Sequence, residues 1–177
     1  MAFVFDATPM SPTANSYVAV EFADDYFTAH LQHSKWDTLS TLDKQRALVM
    51  ATQRLDVEWY MGLTTTQTQH LIWPRRVVIS RDMNHVGSGF ILDPYTIPKY
   101  LQWATCEQAL VYIDIMNSEY MVEDNDLETL TSYKIGPMDI KIKPGLKADR
   151  IHGKVATFLE AIGPNVWRKT IGQQISL

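Results

Sequence analysis

The most restrictive feature of the chain is a stretch from Ile97 to about Tyr120 that reads as a helix with apolar residues on most of its faces. Leu101, Ala104, Ala109, Tyr112, Ile115 and Met116 occupy some faces, and Trp103, Cys106, Leu110 and Ile113 others. A helix that is apolar nearly all round must be enclosed, so it is expected either at the centre of the fold or under a neighbouring chain. Pro98 suits its first turn, where a missing N–H is no loss. No apolar run reaches the ~18–20 residues that a membrane span needs.

The rest of the chain supplies elements to surround that helix. Val18 to Leu31 is amphipathic, with Phe22, Ala23, Tyr26, Phe27, His30 and Leu31 at helical spacing. A second helix is expected from Ser40, where Ser40-x-x-Asp43 resembles a capping box, through the stripe Leu48, Ala51, Thr52, Leu55 and Trp59 to Gly62. Residues 131–143 alternate around Gly136-Pro137, a hairpin pattern. Asp149 can cap a last helix through Ile151, Val155, Phe158, Leu159 and Ile162, which Gly163-Pro164 ends. Between these lies an irregular segment, 61–96, with a possible short strand at Val77–Ser80 and a tip at Asn84–Gly89. The expected fold is mainly α: a small helical bundle on a long central helix, with a short β-hairpin, a long irregular loop and extended arms at both ends. The arms are 1–16 and 164–177, and the helical domain is 17–163.

Charge is unevenly distributed. The net charge is −4. Residues 1–133 hold 8 Lys/Arg against 17 Asp/Glu, a balance of −9, and residues 134–177 hold 8 against 3, a balance of +5. The span 100–133 has seven acids and no Lys or Arg. An acidic body with a basic end can pair with copies of itself. A free-standing nucleic-acid binder is usually strongly basic, which this chain is not.

Chemistry-bearing patterns are few. Cys106 is the single cysteine, so neither an intramolecular disulfide nor a Cys-based zinc cluster can form, and its apolar surroundings suit an inert buried thiol. His30 and His33 could share a helix face, but no third ligand is near. Glu123-Asp124-Asn125-Asp126 lacks the spacing of a calcium loop. Asp24 and Asp25 are adjacent, so they diverge by about 100° on a helix. No phosphate-binding glycine loop, nucleophile elbow or zincin motif occurs. No enzyme activity and no cofactor are expected. Trp36, Trp59, Trp73, Trp103 and Trp167 could stack bases, but only Trp73-Pro74-Arg75-Arg76 and Trp167-Arg168-Lys169 have adjacent cations, and interface or core anchoring is the commoner role. No basic n-region marks a signal peptide.

Several short motifs stand in a telling order: Ala14-Asn15-Ser16-Tyr17-Val18, Tyr26-Phe27, Ala51-Thr52 with Leu55-Asp56, Trp73-Pro74-Arg75, Ile97-Pro98 before Ala104, Glu107 and Ala109, and Lys134-Ile135-Gly136-Pro137. In this the chain resembles, over about residues 14–162, the tailed-phage head–tail adaptor family, often labelled DnaT-like single-stranded-DNA-binding protein. It departs from that pattern at Val77, where a glycine-containing turn is common. The resemblance implies a structural virion protein, assembled in the host cytoplasm and located at the head–tail junction. It would form a ring, usually dodecameric, under the portal protein, and meet a tail or nozzle protein. Genomic DNA would pass through without specific binding, and no membrane is involved. On that basis the tail residues Val166, Trp167, Arg168, Lys169, Ile171 and Ile175 are expected to dock on the portal. Glu107, Asp114 and Glu119 are expected to face Lys134, Lys141, Lys143, Lys147, Arg150 and Lys154 of the next subunit, with exposed pairs contributing ~0–1 kcal/mol each. Trp73, Arg75, Arg76, Asn84, His85 and Phe90 are expected on the tail-facing loop. Single-stranded-DNA binding and a small enzyme of unknown class are the alternatives.

Overall fold

Ser40 shows how the sequence starts an element. Its extended backbone precedes α3, Thr41–Asp56, and its hydroxyl accepts the Asp43 N–H at 3.2 Å while donating to the Asp43 carboxylate at 2.7 Å. Ser40 is thus a side-chain N-cap, with the Asp43 carboxylate meeting its hydroxyl and not its backbone N–H as a full capping box would. Ser40→Ala should lower stability by about 1 kcal/mol, read as a shifted urea midpoint at unchanged slope. The buried face of α3 is Ala47, Leu48, Ala51, Thr52 and Leu55, as the stripe predicts. The helix stops at Asp56, so Trp59 lies beyond it.

The computed structural model describes residues 3–79, 91–117, 133–135, 138–140, 151, 153–163 and 165–168. α1 spans Val20–Thr28 and buries Ala23 and Phe27. It begins two residues later than the periodicity suggests, because Tyr17 gives its backbone N–H to the Thr52 hydroxyl at 3.0 Å and its phenol to Asp56. A short α2, His33–Asp37, was not foreseen; it buries Trp36, whose ring stacks on Phe27 at 4.6 Å. α4, Lys99–Asn117, is the central helix. It packs between α3 and α5, Gly153–Ala161, so this chain itself covers α4 on those sides. Pro98 precedes its first residue and accepts the Leu101 and Gln102 N–H groups. Among the described residues no helix is long and apolar enough to cross a membrane.

Three small antiparallel pairs complete the described structure. β1, Trp59–Tyr60, pairs with β6, Trp167–Arg168, with Trp59 opposite Arg168 and Tyr60 opposite Trp167. β2, Leu63–Thr64, pairs with β3, Arg75–Arg76. β4, Tyr133–Ile135, pairs with β5, Met138–Ile140, which is the expected hairpin. The strand expected at Val77–Ser80 is displaced. Val77 has φ 62°, which breaks the extended run, and Ile79 makes only an isolated bridge to Ile91. The left-handed backbone there is one that glycine adopts without strain.

The described segments nearest each end, 3–16 and 163–168, are tied to the body. Asp6 accepts hydrogen bonds from the Ser11 hydroxyl (2.6 Å), the Thr8 N–H (2.9 Å) and the Thr13 hydroxyl (2.7 Å). These donors, Ser11 foremost, hold its carboxyl well below the usual range. Residues 3–16 contain no helix or strand, yet Ala14 and Ser16 are buried. At the other end Gly163 ends α5 and packs so closely on the Ile79 backbone that a Cβ would sit 2.0 Å from its carbonyl oxygen. The expected Asp149 cap lies outside the described residues.

Candidate functional site

Polar and aromatic side chains gather in two places. The first is centred on Glu107, which α4 holds only 6% exposed. Three groups converge on its Oε1: the Tyr26 phenol of α1 donates at 2.5 Å, the Lys154 ammonium of α5 at 2.5 Å, and His30 Nε2 lies at 3.2 Å. Burial first, and then the hydrogen bond and negative charge of Glu107, push the Tyr26 hydroxyl well above its ordinary value, so it stays a donor. A cleft of about 440 Å³ opens beside the group, walled by His30, Leu31, Gln32, Leu110 and Lys154. The arrangement ties α1, α4 and α5 together at one carboxylate. Cys106, the preceding residue, is fully buried, and burial followed by the Glu107 charge raises its thiol far above the range of a nucleophile.

The second place is the rim formed by the strand pairs. Alternation along β1 and β6 turns Tyr60 and Trp167 inward and leaves Trp59 and Arg168 outside, with the guanidinium 5.1 Å from the Trp59 ring centroid. Inward, Trp167 donates its indole N–H to Glu58 at 3.1 Å, and Arg54 pairs with the same carboxylate at 2.7 Å. On β3 the two arginines part. Arg75 turns in and donates to the carbonyls of Met61 (2.9 Å), Tyr60 (3.2 Å), Gly62 (2.5 Å) and Ile72 (3.3 Å). Arg76 stays exposed opposite Leu63.

Several sequence expectations are corrected here. Val166 and Trp167 are not part of a free docking arm: Val166 is fully buried and accepts the Met61 N–H at 2.7 Å, and Trp167 is in the core. Their apolar bulk is used by this chain's own β1 and α3 end. Arg168 is exposed, while Lys169, Ile171 and Ile175 lie outside the described residues. Glu107 is not a surface acid awaiting another subunit, because Lys154 of the same chain already reaches it. Asp114 pairs with Lys35 at 2.6 Å. Lys134 lies on β4 opposite Asp139; Glu119, Lys141, Lys143, Lys147 and Arg150 fall outside the description. Of the proposed loop residues, Trp73 is buried at 2% exposure and Arg75 is engaged internally, which leaves Arg76 available. Asn84, His85 and Phe90 are outside the described residues. His33 turns to Asp37 at 2.8 Å and His30 to Glu107, so the two imidazoles do not converge. Asp24 and Asp25 part likewise. Burial pushes Asp24 up, but hydrogen bonds from Lys44 and the Trp36 indole, with the Lys44 charge, lower it overall; Asp25 is exposed. Among the described residues no group of three or more His, Cys, Asp or Glu could hold a metal.

Two contacts had no adequate sequence signal. Trp59 and Arg168 are far apart in the chain, and so are Tyr26, Glu107 and Lys154. A third was readable: Lys99 and Trp103 stand at i, i+4 on a helix, and the Lys99 ammonium lies 5.6 Å from the Trp103 ring.

A mainly helical fold carrying a buried ionic knot and an aromatic–arginine rim is thus the frame for comparison with known proteins. Over residues 1–167 the chain matches the model of the family described as "Putative DnaT-like ssDNA binding protein", and it belongs to that family. No curated protein and no solved structure matches it.

Proposed function

We propose that this chain is a structural virion protein, a head-to-tail adaptor that forms a ring under the portal, joins capsid to tail and lets DNA pass. The reading rests on the order of the motifs between residues 14 and 162, and the observation that carries it is how the cations are used. Among the described residues Lys35, Lys44, Arg46, Arg54 and Lys154 are each paired with a carboxylate of the same chain and Arg75 is bound to carbonyls, while Arg76, Lys99 and Arg168 have no carboxylate partner. With a net charge of −4, such a surface grips phosphate weakly. That suits a conduit through which DNA slides. The same reading makes the protein a non-enzyme at the head–tail junction, with the portal and a tail or nozzle protein as partners.

Single-stranded-DNA binding is the second reading, and the words of the family description favour it. It would use aromatics beside cations, exposed Trp59 with Arg168 and half-buried Trp103 with Lys99. Two measurements separate the readings. Negative-stain imaging with capsids should place a ring at the portal vertex. Titration with oligothymidine should leave tryptophan fluorescence unquenched at about 0.15 M salt. Strong quenching that falls steeply with salt, with no density at the vertex, would replace the first reading by the second.

A further inference from the structure

Two guanidinium groups on the strand rim have no acidic partner among the described residues. Arg76 is exposed on β3, and the Arg168 side chain meets only the face of Trp59. The nearby acids in the sequence turn away: Asp56 accepts from Tyr17 and the Ile72 N–H, and Glu58 is buried against Arg54 and Trp167. Beside Arg168 stands Trp59 at 49% exposure, and beside Arg76 stand its strand partner Leu63 at 59% and its neighbour Val77 at 62%. Exposed tryptophan and aliphatic side chains beside arginine have the composition of a protein contact surface.

The complementary charge is on the same chain. α1 turns Ala23 and Phe27 to the core and leaves Glu21 and Asp25 exposed, one helical turn apart on another face. Neither carboxylate has a cation partner among the described residues. Two unpaired acids and two unpaired guanidiniums that do not meet within one chain can meet between chains. Two different faces joined in this way give a heterologous contact, which closes into a ring or continues as a helix.

We propose that the Trp59–Leu63–Val77 rim receives α1 of a second copy, with Glu21 and Asp25 set against Arg76 and Arg168. The proposal rests on the ring reading above and names its interface. Sedimentation velocity on the full chain tests it, over a concentration series at low and high salt. The wild type should self-associate, less so as salt rises. Arg76→Glu/Arg168→Glu and Glu21→Lys/Asp25→Lys should each weaken association by about tenfold or more, because like charges then face each other. The fourfold variant should recover to within about threefold of wild type. Since the two pairs lie on separate elements, misfolding of one face cannot produce both losses and the recovery. A wild type that stays monomeric up to about 1 mM overturns the proposal. So do reversals that assemble like wild type, or a fourfold variant that does not recover. Loss of oligothymidine binding in Arg76→Glu/Arg168→Glu with unchanged sedimentation would instead make the rim a nucleic-acid contact. Association through these faces by a protein absent from the portal vertex would keep the interface and remove the adaptor reading.

Discussion

Arg75→Ala should lower the stability of the chain by about 3 kcal/mol, whereas Arg76→Ala should leave it within about 0.5 kcal/mol. The two residues are neighbours on a two-residue strand and look alike in sequence. Their environments differ completely. Arg75 donates to four carbonyls, on Tyr60, Met61, Gly62 and Ile72, and so holds the kink between β1 and β2. Gly62 there has φ 90°, and a Cβ would stand 2.6 Å from the Arg76 carbonyl oxygen. Truncating Arg75 removes a charged donor and strands several partly buried acceptors, each at about 1–3 kcal/mol before relaxation and water recover part of it. Arg75→Lys should rescue little, because an ammonium cannot span the same fork of acceptors. The exposed Arg76 side chain makes no hydrogen bond or ion pair among the described residues, so its loss should appear in association and not in the urea midpoint. Equal effects of the two substitutions would refute the clamp.

That contrast marks where sequence reasoning stops. Periodicity identifies α3, α4 and the hairpin, because the burial of Leu48, Ala51 and Leu55, or of Leu101, Ala104 and Ile113, follows from spacing alone. The Ser40 cap is equally local. Tryptophan and arginine are read poorly, since the same residue serves as core anchor, carbonyl clamp or interface, and only the fold decides which. Trp73-Pro74-Arg75 looks like a surface motif because of its arginine. The structure buries Trp73 edge-on to Tyr60 at 5.6 Å and turns Arg75 inward. Trp167-Arg168 looks like a tail because Gly163-Pro164 precedes it. Pairing with β1, distant in sequence, draws Trp167 into the core. Short strands of two residues carry no period for a pattern to detect. The charge blocks mislead for a related reason. A balance of −9 against +5 states that opposite charges are available to each other, but not whether they meet within a chain or between chains.

Lys154 gives that question a measurable answer. Lys154→Met should lower stability by about 1–3 kcal/mol, because it leaves the Glu107 carboxylate buried without its cation. The loss is held below that of a fully buried pair by two features. The Lys154 side chain is 51% exposed, and Tyr26 and His30 still reach Glu107 Oε1. Adding Glu107→Gln to Lys154→Met should restore about 1 kcal/mol or more, since the amide oxygen still accepts from Tyr26 and no charge remains to be desolvated. In the wild-type background Glu107→Gln alone should be destabilising, as it removes the partner of Lys154. The two substitutions are therefore non-additive, and urea midpoints of the four proteins yield the coupling directly. If Lys154→Met left the midpoint unchanged and weakened self-association instead, Lys154 would be reaching a carboxylate of the neighbouring chain, and the ionic link between α4 and α5 would have to be redrawn as a contact between subunits.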